Sequence, residues 1–150
     1  MTTRTDNTDP RSRTAKQPAP PASGRSAGRD RLVAVMYIDA AITGANGVAY
    51  LAGASLLAGL LGPAPAVLIG IGAFLTVYAL VVALIGRGRP ISFAAVRAAA
   101  LLNLAWVAAS LVVAAGGLID LTGWGRLWAV AQAMVVLAFA VVQLAGIRRR

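Results

Sequence analysis

The sequence predicts an all-α polytopic membrane protein: a bundle of four transmembrane helices preceded by a disordered tail. Two observations predict it. Four apolar runs are each long enough to cross a bilayer core of about 30 Å. Thirteen of the 14 Lys and Arg residues lie in three places between these runs, namely residues 1–31, the segment 87–97 and the last three positions. Because basic residues collect on the cytoplasmic side of membrane proteins, we expect a bacterial cytoplasmic (inner) membrane protein with both termini and the central loop in the cytoplasm.

Residues 1–31 are predicted to form a disordered, basic cytoplasmic tail. This segment is rich in Thr, Ser, Pro and Arg and has almost no large apolar side chain, so it cannot bury a core. Its main expected role is to set the orientation of the chain. The tail and the basic helix ends also predict contact with the anionic headgroups of membrane lipids, at about 1 kcal/mol for each basic residue held near the surface.

Turn and capping signals bound the four predicted helices. The first ends before Pro63, because proline cannot continue a helix, and Ser92 is a suitable N-cap for the third. Trp124 and Trp128 lie at the start of the fourth, where an interfacial aromatic belt is expected. The predicted helices cover residues 32–61, 66–86, 94–119 and 124–147.

The composition argues against most enzyme and metal sites. The chain has no Cys, His or Glu, and its only acids are five Asp residues. It therefore lacks the commonest general base and the commonest metal ligands. We expect no catalytic residue, no cofactor and no metal. Nucleic acid is not an expected partner either, since the net charge of +9 is located in a tail and at helix ends instead of on a folded face.

Polar residues inside the apolar runs are the candidate functional residues, because polar groups in hydrocarbon are costly unless they are satisfied. At 100° per residue, those of the first helix share one narrow face, and those of the third and fourth helices also lie on single faces. We expect the three faces to meet inside the bundle. The candidate polar cluster comprises Asp39, Thr43, Asn46, Tyr50, Asn103, Trp106, Ser110, Gln132 and Gln143.

Two roles for this cluster remain open. Polar side chains on facing transmembrane helices commonly hydrogen-bond across the interface, at about 0.6 and up to about 2 kcal/mol each, and so hold the helices together. We expect this packing role, with Asn46 as the partner of Asn103, so that losing Asn103 costs about 1 kcal/mol. The alternative is a functional cavity, in a small proton-coupled or passive transporter whose polar path surrounds Asp39.

Asp39 distinguishes the two roles because it is the only acid within an apolar run. A transporter would use it as a proton or cation site. It also lies only about 12 Å along the helix from Arg31, so we expect its carboxylate to reach interfacial water. A salt bridge to Arg97 is not expected, because Arg97 points about 120° away from Asn103 on the helical wheel.

Small residues recur at every fourth position of the first helix, at Ala41, Ala45, Ala49 and Gly53. This spacing lets helices approach closely. We expect it to serve packing within the bundle and not a dimer face, and we expect the same of Gly70 and Gly72. A homo-oligomer or a partner membrane protein remains open.

Three segments resemble a group of small, four-helix bacterial integral membrane proteins, chiefly actinobacterial, that are described only as hypothetical. The segments are residues 39–50 (DAAITGANGVAY), residues 103–106 (NLAW) followed by Ser110, and Gln132 with Ala133. The resemblance covers roughly residues 32–150 and implies no established activity. The expected function is thus an integral membrane protein whose specific role is structural, accessory or regulatory.

Small multidrug-resistance transporters are also four-helix chains with an acid in the first helix. The present chain differs from them because their membrane Glu is absent, Asp39 lies nearer the interface, and the long basic tail is foreign to them. The comparison does not extend their transport function to this chain.

Overall fold

The computed structural model describes residues 23–148, which form four α-helices joined by short loops. The helices are α1 (Ser23–Leu61), α2 (Pro65–Arg87), α3 (Phe93–Gly116) and α4 (Gly123–Arg148). Each is long and apolar enough to cross a membrane, by length and composition. The predicted all-α fold with four such helices is confirmed.

Helix α1 begins at Ser23, nine residues before the predicted start. Helix α1 thus includes residues 23–31 of the predicted tail, whereas residues 1–22 lie outside the described residues. Once the apolar run has formed a helix, each further residue adds a hydrogen bond at little cost, and Arg and Ala are good helix formers. With 39 residues, α1 is about 58 Å long and extends well beyond a hydrocarbon core of about 30 Å.

The ends of α3 follow from two residues. The Ser92 hydroxyl oxygen accepts a hydrogen bond from the Ala95 amide at 3.3 Å, so Ser92 is the N-cap that the sequence predicts. The helix ends at Gly116, three residues before the predicted end, because Gly117 adopts a left-handed conformation with φ of 65°. Glycine takes up this conformation without steric cost and commonly ends helices.

Thr122 joins the start of α4 to the end of α1. Its hydroxyl donates to the Leu60 carbonyl oxygen at 2.6 Å and accepts from the Gly125 amide at 3.0 Å. The Thr122 amide also donates to the Leu61 carbonyl oxygen at 3.0 Å. These bonds satisfy backbone groups that helix ends otherwise leave without partners.

The helices form a ring in which neighbours run antiparallel. Helix α1 packs beside α2 and α4, and α3 packs beside α4, whereas α2 and α3 make few contacts. We call the end of the bundle that carries Arg31, Arg87 and Arg148 the basic end, and the end that carries the turns 62–64 and 117–122 the far end. The seam between α2 and α3 is the least tightly packed.

Two glycines allow α1 and α2 to cross closely. A Cβ atom on Gly47 would lie 2.9 Å from the Gly72 carbonyl oxygen, and one on Gly72 would lie 2.8 Å from the Gly47 carbonyl oxygen. The two backbones are thus in direct contact, and only glycine fits at either position.

The small-residue stripe of α1 does not pack inside the bundle as the sequence predicts. Ala41, Ala45 and Ala49 are exposed, whereas Gly47 packs against α2. The side of α1 that faces its neighbours is selected by the polar residues around Asp39, which are buried and therefore turn the alanine stripe outward. Gly53, the fourth member of the stripe, is half-buried and marks a kink in α1, with φ of −111°.

Apolar side chains form a core at each end of the bundle. The basic-end core consists of Leu32, Met36, Ala40, Tyr78, Val82, Ile91, Val96 and Ala99. The far-end core contains Tyr50, Leu61 and Leu75, with Trp106 packed against it. The predicted polar residues lie mainly between these two cores.

Candidate functional site

Helix α1 places the Asp39 carboxylate in the interior of the bundle, where it is 0% exposed. Its Oδ1 accepts a hydrogen bond from the Thr43 hydroxyl at 3.2 Å. Its Oδ2 accepts from Asn103 Nδ2 at 3.0 Å and from Gln143 Nε2 at 2.8 Å. Side chains from α1, α3 and α4 therefore converge on one carboxylate.

The expectation that Asp39 reaches interfacial water is wrong. Leu32 and Met36, which precede Asp39 on the same side of α1, are 2% and 0% exposed. They belong to the basic-end core, which covers Asp39 on that side. Distance along the helix from Arg31 did not determine exposure, because side chains from the other three helices cover Asp39 on its face of α1.

Helix α2 joins the group through Tyr78. The Tyr78 hydroxyl donates its single proton toward Asn103 Oδ1 at 2.8 Å and the Ala99 carbonyl oxygen at 3.1 Å. The amide nitrogen of Asn103 then faces Asp39 and also lies 3.5 Å from Gln143 Oε1. All four helices thus contribute to one buried group of Asp39, Thr43, Tyr78, Asn103 and Gln143, which we call the Asp39 network.

The hydrogen bonds of the Asp39 network match the needs of an ionised carboxylate, which can only accept. All three partners of Asp39 donate to it. Within residues 27–148, Asp39 has no cationic partner, and Arg97 is exposed. Every buried polar side-chain atom in the described part of the chain has a hydrogen-bond partner, so the network is complete as it stands.

A cavity of about 420 Å³ lies between the four helices on the far-end side of the Asp39 network. We call it the central cavity. Most of its wall is apolar, and Thr43 and Asn103 belong to both the wall and the network. Phe74 and Leu102 on the wall are 43% and 45% exposed, so the cavity is not sealed.

Aromatic side chains from three helices line the central cavity. They are Phe74, Tyr78, Trp106 and Trp128. The Phe74 ring stacks against Trp106 with centroids 5.6 Å apart, and against Tyr78 with centroids 6.3 Å apart. The Phe74–Trp106 pair is one of the few links between α2 and α3.

Two hydrogen bonds join α1 to α4 beside the central cavity. Asn46 Nδ2 donates to Gln132 Oε1 at 3.3 Å, and Trp128 Nε1 donates to the Tyr50 hydroxyl oxygen at 2.7 Å. The expected pairing of Asn46 with Asn103 is therefore wrong. Asn46 lies about two helical turns along α1 from Asp39, at the level of Gln132. Asn103 lies at the level of Asp39.

The structure divides the predicted cluster between two layers. Asp39, Thr43, Asn103 and Gln143 belong to the network, and Asn46, Tyr50 and Gln132 belong to the layer of the central cavity, with Trp106 on its wall. Ser110 is buried farther along α3, outside both groups.

Sequence reasoning missed Tyr78 and Phe74 on α2. The apolar run of α2 carries no charged or amide side chain, so the pattern of such residues does not single this helix out. A signal was present, since Tyr78 is the only tyrosine in that run and Phe74 stands one helical turn before it.

No group of three His, Cys, Asp or Glu side chains that could hold a metal ion occurs among the residues that the structure describes. No protein-family model, curated protein or solved structure matches the chain. The resemblance to small four-helix proteins of actinobacteria therefore stays a prediction.

Proposed function

We propose that the chain is a non-enzymatic, multi-pass protein of the bacterial cytoplasmic membrane, with a structural, accessory or regulatory role. In this proposal the Asp39 network holds the four helices in one arrangement and does not conduct protons. The observation that carries the proposal is the completeness of the network: three donors satisfy Asp39, and each donor belongs to a buried side chain.

The basic-end core supports the same conclusion. Val82, Val96 and Met36 are each 0% exposed, and with their neighbours they separate Asp39 from the basic end. A proton or ion would have to cross this apolar layer before it met the carboxylate. A buried network that specifies a single arrangement of helices needs no such path.

The proposal also assigns an orientation to the bundle and contacts to its surface. The basic end would face the cytoplasm, since positive charge is retained on that side. Arg31, Arg87, Arg89 and Arg148 are exposed there, where they would contact anionic lipid headgroups. A second copy of the chain or another membrane protein would pack on the apolar outer faces.

The test uses Asp39→Asn and wild-type protein in vesicles that contain a pH-sensitive dye, with an imposed pH gradient. We expect equal, background-level proton flux from both. Asp120→Asn, a change in an exposed loop, is the matched control for loss of one carboxylate. Wild-type flux that disappears only in folded Asp39→Asn would contradict the proposal.

One observation favours a second candidate, a small proton-coupled or passive transporter. The central cavity lies directly beside the Asp39 network and shares Thr43 and Asn103 with it. A solute in the cavity would therefore sense any change in the network. Transport would require the basic-end core to separate during the cycle, and the flux experiment distinguishes the two candidates.

A further inference from the structure

The central cavity has the size of a small-molecule site. Its volume of about 420 Å³ falls in the range of roughly 300 to 1,000 Å³ that is usual for ligand pockets, which are mostly apolar with a few polar groups. Here the polar groups are Thr43, Asn46, Asn103 and Gln132. They lie on α1, α3 and α4, so an occupant would contact more than one helix.

An ionised Asp39 would place a negative charge beside the central cavity that no described side chain balances. Asp39 lies behind Thr43 and Asn103, which contact it directly and also form part of the cavity wall. Among residues 27–148 no cation pairs with Asp39, and none of the described wall residues is charged. In a low-dielectric interior the field of one carboxylate extends across such a cavity. A cation there would be attracted and an anion repelled.

The aromatic wall selects a particular kind of cation. Phe74, Tyr78, Trp106 and Trp128 place four π systems around the cavity. Aromatic rings bind weakly hydrated organic cations, quaternary ammonium ions above all, through the negative faces of the rings. A small inorganic cation would need several oxygen ligands, and the oxygens of Asp39 already accept three hydrogen bonds.

We propose that the central cavity binds a hydrophobic organic monocation, of the quaternary ammonium or phosphonium class, with its charge held near Asp39 and its apolar groups against the aromatic wall. This site goes beyond the proposed function and does not depend on it. A protein that binds such a cation without moving protons satisfies both proposals, and loss of cation binding leaves the result of the flux experiment unchanged.

The first test compares two ions of nearly the same shape and opposite charge, tetraphenylphosphonium and tetraphenylborate. Wild-type protein in phosphatidylcholine nanodiscs is dialysed to equilibrium against each ion, and empty nanodiscs correct for partition into lipid. We expect saturable binding of the cation only. Equal binding of both ions, or binding of neither above empty nanodiscs, would overturn the proposal.

Variants locate the bound cation. Asp39→Asn should weaken tetraphenylphosphonium binding by about tenfold or more, because it removes the charge and retains the shape. Asp120→Asn removes an exposed carboxylate and should bind as wild type does. Unchanged affinity in folded Asp39→Asn would overturn the proposal.

A second pair of variants does not disturb the Asp39 network. Trp106→Leu should lower cation affinity several-fold, because it replaces a π face on the cavity wall by an apolar chain. Trp124→Leu is the control, since Trp124 is 66% exposed and lies outside the cavity. Should Asp39→Asn fail to fold, this pair and the two-ion comparison decide the question, and equal affinity in both Trp variants would contradict the proposal.

Discussion

Asn103 contacts a side chain from each of the other three helices. It donates to Asp39 on α1, lies within hydrogen-bonding distance of Gln143 on α4 and accepts from Tyr78 on α2. Asn103 contributes to stability mainly because it donates a hydrogen bond to the Asp39 carboxylate. A hydrogen bond to a charged group contributes about 1.5–3 kcal/mol, more than one between neutral groups.

Replacing Asn103 by Leu should therefore lower the free energy of unfolding by about 2 kcal/mol or more, since a buried carboxylate loses a donor. This exceeds the cost of about 1 kcal/mol that a pairing with Asn46 predicted. Asn46→Leu is the matched control and should cost only about 0.6 kcal/mol, because it breaks a neutral, half-buried bond. Unfolding titrations in mixed micelles measure both values, and equal losses would argue against a special role for Asn103.

The periodicity of the sequence predicted which polar residues face inward, but not how they pair. A spacing of 3.6 residues per turn places Asp39 and Thr43 on one side of α1 without reference to any other helix. Pairing depends on how far each helix is shifted along its neighbour. That shift is set by contacts distant in sequence, such as Gly47 against Gly72, which no local pattern reveals.

The backbones of α1 and α2 meet where the two helices cross. Gly47 and Gly72 are both buried, and each leaves no room for a Cβ atom against the other. Gly70, which the sequence predicted to pack in the same way, has no atom within 4 Å of its Cβ position. Gly70 and Gly72, which are two residues apart on α2, thus lie in different environments.

Gly47→Ala should destabilise the bundle by about 1–3 kcal/mol, the usual cost of overpacking. The added methyl group would lie 2.7 Å from the Thr76 hydroxyl oxygen and 2.9 Å from the Gly72 carbonyl oxygen, so the helices would have to separate. Gly70→Ala should leave stability unchanged or raise it by up to about 1 kcal/mol, because Ala is the better helix former and its methyl group would meet no neighbouring atom. Thermal unfolding in nanodiscs compares the two, and equal stability would contradict the close crossing.

Helix bounds were predicted best where a residue type forces an end. The first helix ends at Leu61, as predicted, because the turn that follows contains proline. The predicted start of α1 is later than the structure places it, because residues 23–31 contain no proline and a polar composition does not by itself prevent a helix from extending. The predicted end of α3 is three residues too late, because the apolar run continues to Ile119 and its pattern does not show that Gly117 adopts a left-handed conformation.

At the scale of the whole molecule, charge divides the bundle into two unlike ends. Arg31, Arg87, Arg89 and Arg148 are exposed at the basic end. At the far end, among the described residues, Arg126 is the only basic side chain, and Asp120 lies close to it in sequence. Because basic residues are retained on the cytoplasmic side of a membrane, the proposed orientation places the basic end in the cytoplasm.

The absence of cysteine from the chain makes this direction testable with single substitutions. In intact cells, Ala22→Cys, Gly88→Cys and Arg150→Cys should resist a membrane-impermeant thiol reagent, because these sites would lie in the cytoplasm. Gly123→Cys should react, since Gly123 is exposed at the far end. All four should react after the cells are permeabilised, which controls for buried thiols. Reaction of Gly88→Cys in intact cells would contradict the orientation, because the loop between α2 and α3 would then face outward.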